Sequence, residues 1–231
     1  CSSDLGYSFS VNEQILQQDL YYKGSKVMSY TIKYPEFQSD SFPILADKLS
    51  LLYRTKANMY EKSVVNNLYQ QAMVEYEYSI ANNFPIREYE AYVDYKITYN
   101  QNCMLSLYFD QYEYTGGAHG ATIRTSDTWN LQQSRKLQLK DLFLLPQDYS
   151  AYITDRVKQQ IAGQIASGED IYFDDYAHLV SDYFKPNNFY LTKEGAEFYY
   201  QQYDIAPYSS GIRTFLIPYS QNGIVEPRCC Y

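Results

Sequence analysis

The chain has 231 residues, with 45% hydrophobic and 20% charged side chains and a net charge of −8. That composition excludes an intrinsically disordered chain, and the length suffices for one large domain or two small ones with a real core. The negative balance, with no run of Lys or Arg, excludes a phosphate backbone as partner, so no nucleic acid is expected; no apolar stretch reaches the roughly 18–20 residues of a membrane span.

The chain opens CSSD. A leading Cys before small polar residues is what a processed bacterial lipoprotein shows, which makes Cys1 a candidate lipid anchor; an arbitrary chain boundary gives the same letters. Residues 10–22 (SVNEQILQQDLYY) and 26–37 (KVMSYTIKYPEF) then read as two strands rich in Tyr, Ile and Val. Gly24, taken as the first central residue of the turn, predicts a two-residue hairpin between them.

The period changes over residues 39–85. Leu45, Leu49, Leu52, Tyr60, Val64, Leu68 and Ala72 recur at three- and four-residue steps, which predicts one long amphipathic helix broken near Thr55–Asn58. Asp40 or Ser41 can cap it, and Pro43 suits its first turn. A meander follows. Tyr89, Ala91, Val93, Tyr95, Ile97 and Tyr99 alternate with polar residues, Asn100-Gln101-Asn102 turns the chain, and Cys103, Leu105, Leu107 and Phe109 share the returning face. After GGAHG a third strand begins at Ala121. Helix period returns at 140–168, with Tyr152, Ile153, Val157 and Ile161 on one stripe and Ser167-Gly168 at its end. A short helix near 174–184 and strand-like segments to 219 complete the chain.

Nothing repeats strand–helix–strand at regular intervals, which disfavours a doubly wound parallel sheet. The expected fold class is α+β: antiparallel sheet or sheets, with a long N-terminal helix and further helices packed on one face. A subdivision into 1–86 and 87–231, tightly packed or acting as one unit, is expected near Pro85–Glu88, where the helix ends.

Four cysteines are present, Cys1, Cys103, Cys229 and Cys230, with no CxxC or Cys/His metal spacing. Adjacent Cys229 and Cys230 can join each other only in a strained ring, and one of them bonding Cys103 is the easier geometry. The pairing stays open, as do free thiols. Tyrosine is the compositional outlier at 29 residues. Its apolar body and hydrogen-bonding tip suit half-buried strands and equally suit protein or sugar contact surfaces.

Chemistry centres on YEYTGGAHGAT, residues 112–122, which holds His119, one of two histidines. Glycine N–H groups beside an imidazole can hold an oxyanion, with Ser126 and Asp127 on the next strand as potential partners. There is no GxSxG elbow. The competing reading is a turn in which Gly116 and Gly117 supply positive φ and His119 bonds locally. His178 sits among Asp174, Asp175 and Asp182, which suggests a metal set or, alternatively, helix capping. SGEDIYFDD lacks the EF-hand spacing, and phosphate-binding loops and dinucleotide fingerprints are absent, so no metal and no cofactor are expected. Carboxylate pairs for glycoside hydrolysis stay open. Pro207 and Gly211 bracket a second punctuated loop, which either displays Tyr208 with Ser209 and Ser210 or folds Tyr208 down.

Two motifs in order carry a family resemblance. Residues 112–143 contain an aromatic-x-GGAHG segment, a strand, a turn and L-x-L-x-D-L-F. Residues 189–219 follow F-x-L-x-x-x-G-x-x-F-x-x-x-x-Y-x-I-A-P-Y-x-x-G with an I-P-Y strand after it. Together they resemble the extracytoplasmic domain of RsiV-type anti-sigma factors, related to the N-terminal module of PdaC-type peptidoglycan deacetylases. The resemblance runs from Phe9 to Tyr219. It makes 1–86 a PdaC-like module and 87–231 an RsiV-like domain. It implies an extracytoplasmic location in the envelope of a Gram-positive type bacterium, and lysozyme as the recognised partner. The chain has neither a sigma-binding segment nor a deacetylase metal motif, so neither activity is implied. The expected function is non-enzymatic recognition of a lysozyme-like cationic protein or of a cell-wall ligand such as peptidoglycan. Tyr114, Gly116, Gly117, His119, Pro207, Tyr208 and Ser209 are the candidate contact residues. The alternatives are an envelope hydrolase using His119 and a structural lipoprotein domain without a specific partner.

Overall fold

In the computed structural model, which describes residues 7–144, 148–169 and 171–229, strands β1 (Ser10–Tyr22) and β2 (Ser25–Gln38) form the expected hairpin. Their antiparallel register runs from Ser10↔Gln38 to Tyr22↔Ser25. The turn itself is Lys23-Gly24, with φ of 50° and 84°. Gly24 is therefore the second central residue and not the first, and two positive φ values match the twist that joins adjacent strands tightly. Cys1, the candidate anchor, and Cys230 lie outside the described residues.

A long helix follows, in three parts: α1 (Pro43–Ser63), one π turn (Val64–Leu68) and α2 (Tyr69–Asn82). Its N-cap is Phe42, with Pro43 at the first helical position, and the Ser39 hydroxyl accepts the Phe42 N–H at 3.1 Å. The irregularity lies at Val64–Leu68 rather than at Thr55–Asn58. Two adjacent β-branched residues and then two Asn are poor helix formers, and a π turn accommodates one extra residue there. Upstream of it, Leu45, Ala46, Leu49, Ser50, Tyr53 and Ala57 are buried; in and beyond it, Val64, Ala72 and Ser79 continue the stripe.

The remaining strands are β3 (Tyr89–Gln101), β4 (Met104–Tyr114), β5 (Ala121–Asn130), β6 (Arg135–Lys136), β7 (Phe189–Leu191), β8 (Gly195–Tyr200) and β9 (Arg213–Pro218). The remaining helices are α3 (Tyr149–Ala166) and α4 (Tyr176–Asp182). One sheet has the order β1-β2-β3-β4-β5-β6 and the other the order β7-β8-β9.

The expected arrangement needs correction. β2 and β3 are parallel, in register from Met28↔Tyr89 to Ile32↔Val93, so the larger sheet is mixed. The long helix is not N-terminal: it follows the hairpin and leads into β3, in the middle of the chain. The two findings share a cause, because parallel neighbours cannot be joined by a tight turn and need a crossover, which the helix supplies. Among the described residues there are three helices, counting the long one once, and they do not share one sheet face: the long helix packs on β2, and α3 on β9.

The chain divides into two compact units, Phe9–Tyr95 with Phe109–Ile123, and Cys1–Ser8, Lys96–Tyr108 with Arg124–Tyr231. In the first, Met28, Tyr30, Ile32, Ala91 and Val93 from the sheet meet Ala57, Val64 and Ala72 from the helix. Phe37 packs edge-on against Tyr53, with centroids 6.0 Å apart, and Ser50 ties the helix to the end of β2 by accepting the Phe37 N–H at 2.8 Å. A buried Ser is tolerated there because its hydroxyl is fully engaged: it also donates to the Ala46 carbonyl at 2.8 Å.

In the second unit, Ile153, Val157 and Ile161 of α3 join Leu191, Phe198, Phe215 and Ile217 of the antiparallel β7-β8-β9 sheet in one cluster. Asp148 caps α3 by accepting the Ala151 N–H at 3.0 Å. Cys103 does not start a strand. With Asn102 it forms the two-residue turn between β3 and β4, at φ of 57° and 51°, and it is disulfide-bonded to Cys229 with Cα atoms 5.1 Å apart.

Candidate functional site

The GGAHG segment lies in the connection between β4 and β5. Tyr114 ends β4 and is half-buried. Gly116 has φ +80° and its carbonyl accepts a hydrogen bond from Arg87 Nη1; only glycine adopts that conformation without strain. Gly120 lies close under Tyr112, since a Cβ there would lie 2.3 Å from its ring and the ring would have to shift. Gly117 and His119 are exposed. His119 Nδ1 lies 3.1 Å from the Gly120 carbonyl, so Nδ1 is the protonated, donating nitrogen. The histidine is thus bonded into its own turn.

The two potential partners of His119 are committed elsewhere. Ser126 is buried; its Oγ donates to the Phe189 carbonyl at 2.6 Å and lies 3.0 Å from the Tyr199 hydroxyl. Asp127 is buried and ion-paired with Lys136. A hydroxyl donating to a main-chain carbonyl between strands braces structure and is not poised as a nucleophile.

Pro207 and Ser209 are exposed, and Tyr208 opens a single 3₁₀ turn, Tyr208–Ser210, closed by Gly211 at φ +65°. The Tyr208 ring is half-exposed and leans on Tyr203, with centroids 5.8 Å apart. The Pro207 loop belongs to the second unit and the GGAHG turn to the first. His178 pairs with Asp182 one turn along the same helix at 3.1 Å, both exposed. Asp175 occupies the N-cap of that helix without a side-chain cap bond, so the capping reading does not hold for it. No group of three or more metal-ligating side chains exists among the described residues.

Two clusters escaped the sequence reading. In the second unit, the Arg124 guanidinium sits 3.8 Å from the Tyr108 ring centroid, and Tyr108 packs on Tyr190 at 5.0 Å, which in turn stacks on Tyr199 at 6.2 Å. Gln201 holds the Arg124 backbone by both its N–H, at 2.9 Å, and its carbonyl, at 2.7 Å. In the first unit, Tyr30 donates to Glu61 Oε1 at 2.7 Å, with Gln18 at 3.1 Å, on the wall of an open cleft of about 570 Å³. Alternation of Tyr along the strands was the available signal for the first cluster; the second joins residues far apart in sequence and left none.

Burial, aided by the Glu61 carboxylate, pushes the Tyr30 phenol up to about 12. Burial and Glu113 raise Tyr60, and burial raises Tyr200 and Tyr219. A folded pKa above the unfolded value of about 10 means that the contribution is complete below about pH 10 and is lost as pH rises through the folded value. Melting temperature should therefore fall as pH rises from about 10 towards 12, with a late-titrating class of tyrosines in an ultraviolet difference titration. A melting temperature unchanged over that range would contradict this assignment.

Two protein families match separate stretches of the chain. Residues 22–122 match the family described as Deacetylase PdaC, and residues 140–220 match a protein family of unknown function, DUF3298. The peptidoglycan-N-acetylmuramic acid deacetylase PdaC of Bacillus subtilis is 24% identical over 124 residues, which are 54% of this chain and 23% of that protein. The chain thus spans about a quarter of that relative's length. A crystal structure of a DUF3298 family member from Bacteroides fragilis superposes with a TM-score of 0.74 at 23% identity, covering 94% of this chain and 92% of the other. A DUF3298 family protein from Pseudomonas aeruginosa does so with a TM-score of 0.66 at 20% identity, covering 96% and 97%. The fold is therefore that of the solved DUF3298 proteins, and the chain is related to the N-terminal module of PdaC.

Proposed function

We propose that this chain is an extracytoplasmic recognition domain of the bacterial cell envelope, which binds a cell-wall ligand and does no chemistry on it. The observation that carries the reading is the match of residues 22–122 to PdaC, whose relative in Bacillus subtilis is named for action on peptidoglycan. The Cys103–Cys229 disulfide supports an oxidising compartment outside the cytoplasm. His119 acts as a brace of its turn, which fits binding better than turnover. The exposed Gly117–His119 turn and the Pro207–Tyr208–Ser209 corner supply contact surface, with Tyr114 and Gly116 shaping the first.

A second reading, a lysozyme-like cationic protein as partner, is favoured by the net charge of −8 and by the RsiV-type motifs. Calorimetric titration separates the two. Saturable heat with soluble peptidoglycan fragments, independent of salt, supports the glycan reading. Saturable heat with lysozyme that fades as salt rises supports the protein partner. Heat with neither, up to about millimolar ligand, would sink the recognition role.

A further inference from the structure

Beside the π turn, Glu61 and Gln18 satisfy the hydroxyl of the buried Tyr30, and the cleft they wall carries further polar side chains. It lies within the first unit, between the β1–β2 hairpin and the helix, and Gln18, Tyr30, Asn58, Met59, Glu61 and Asn66 are on its walls. Among the described residues, Asn58 and Asn66 spend no side-chain hydrogen bond on the protein. Glu61 accepts the Tyr30 hydroxyl on Oε1 and leaves Oε2 without a protein donor. Met59 is 68% exposed beside them, an unbranched apolar side chain in a polar setting. The π turn contributes Val65 and Asn66 to the same wall. Such turns cost helix regularity and occur often at functional sites.

From this we infer that the cleft binds a glycan of N-acetylated hexosamines. Two side-chain amides can give and receive hydrogen bonds in pairs, as an acetamido group requires, and Glu61 can accept from vicinal hydroxyls in charge-assisted bonds. Met59 and Val65 offer an apolar contact for the acetamido methyl. Tyr30, held neutral and hydrogen-bonded, fixes the Glu61 carboxylate in place. This inference rests on the reading of the chain as an envelope recognition domain and names a site and ligand class for it.

The test uses tetra-N-acetylchitotetraose as probe, by calorimetry and by following the Met59 methyl resonance. Wild-type protein should bind saturably and shift that resonance. Glu61→Gln and Asn66→Ala, checked for intact folding by circular dichroism, should each bind about tenfold more weakly. The deacetylated glucosamine tetramer should also bind about tenfold more weakly, since it lacks the acetamido contacts. If the variants bind like wild type, or the Met59 resonance does not move, the cleft is not the site, while binding elsewhere keeps the recognition reading intact. If the tetramer fails to bind but lysozyme binds, the cleft inference falls and the protein-partner reading stands.

Discussion

Phe198→Ala should remove about 3–5 kcal/mol from the unfolding free energy of the second unit, a large share of the roughly 5–15 kcal/mol that a domain possesses. Phe198 is 1% exposed, on the middle strand of the three-stranded sheet, paired in register with Phe189 on one side and Phe215 on the other. Its ring centroid lies 5.9 Å from that of Phe189. Deleting the ring loses its transfer free energy and opens a cavity at the centre of three strands, where neighbours are held by ladder hydrogen bonds and cannot collapse inward. The same strand leaves no slack at Gly195, where a Cβ would lie 2.2 Å from the Ile217 main-chain oxygen. Urea denaturation followed by near-ultraviolet circular dichroism checks the prediction. A loss below about 1 kcal/mol would mean that the sheet repacks freely.

Breaking the Cys103–Cys229 disulfide is the second large effect. The bond joins positions 126 residues apart, and a loop of that size is worth about 4–5 kcal/mol on the chain-entropy account. Cys103 is 2% exposed and sits in a turn where it and Asn102 both have positive φ. The covalent link therefore also holds a backbone conformation that a β-carbon resists. Cys229→Ser should lower stability by about 2–5 kcal/mol and leave Cys103 as a buried thiol. Thermal melts of wild type and variant, each with and without reductant, decide the matter. Reductant should reproduce most of the loss in wild type and do nothing further to the variant.

Local periodicity made much of this fold legible. The β1–β2 hairpin, the long helix and the stripe of Ile153, Val157 and Ile161 all follow from residue spacing. The parallel pairing of β2 with β3 did not, because a strand's alternation says which face is buried and nothing about its neighbours or their direction. The Asn102-Cys103 turn was hidden by the apolar character of Cys103, which reads as strand. The π turn was displaced in the reading because Thr55–Asn58 lacks large apolar residues; yet Ala57 is buried, and its small side chain lets the helix lie close to the sheet. The candidate turn at Gly116–Gly120 was visible because glycines mark it. The cleft at Glu61 was not, since its walls come from two strands and a helix whose approach only the tertiary fold defines.

The parallel pairing also sets an order of events in folding. The β1–β2 hairpin needs only its Lys23-Gly24 turn and forms on the microsecond scale of about 1–10 μs. β3 cannot reach β2 until the intervening helix has shortened the path between them, and non-local closure of this kind is slow. The transition state should thus contain the hairpin and the α1 turns packed on it, with the Met28–Tyr89 register closing late. While it waits, β2, the most buried strand of its unit, has one edge bare. A chain released before its helix is complete would expose that apolar edge to its neighbours, which makes the helix a guard of β2 during synthesis as well as its cover afterwards.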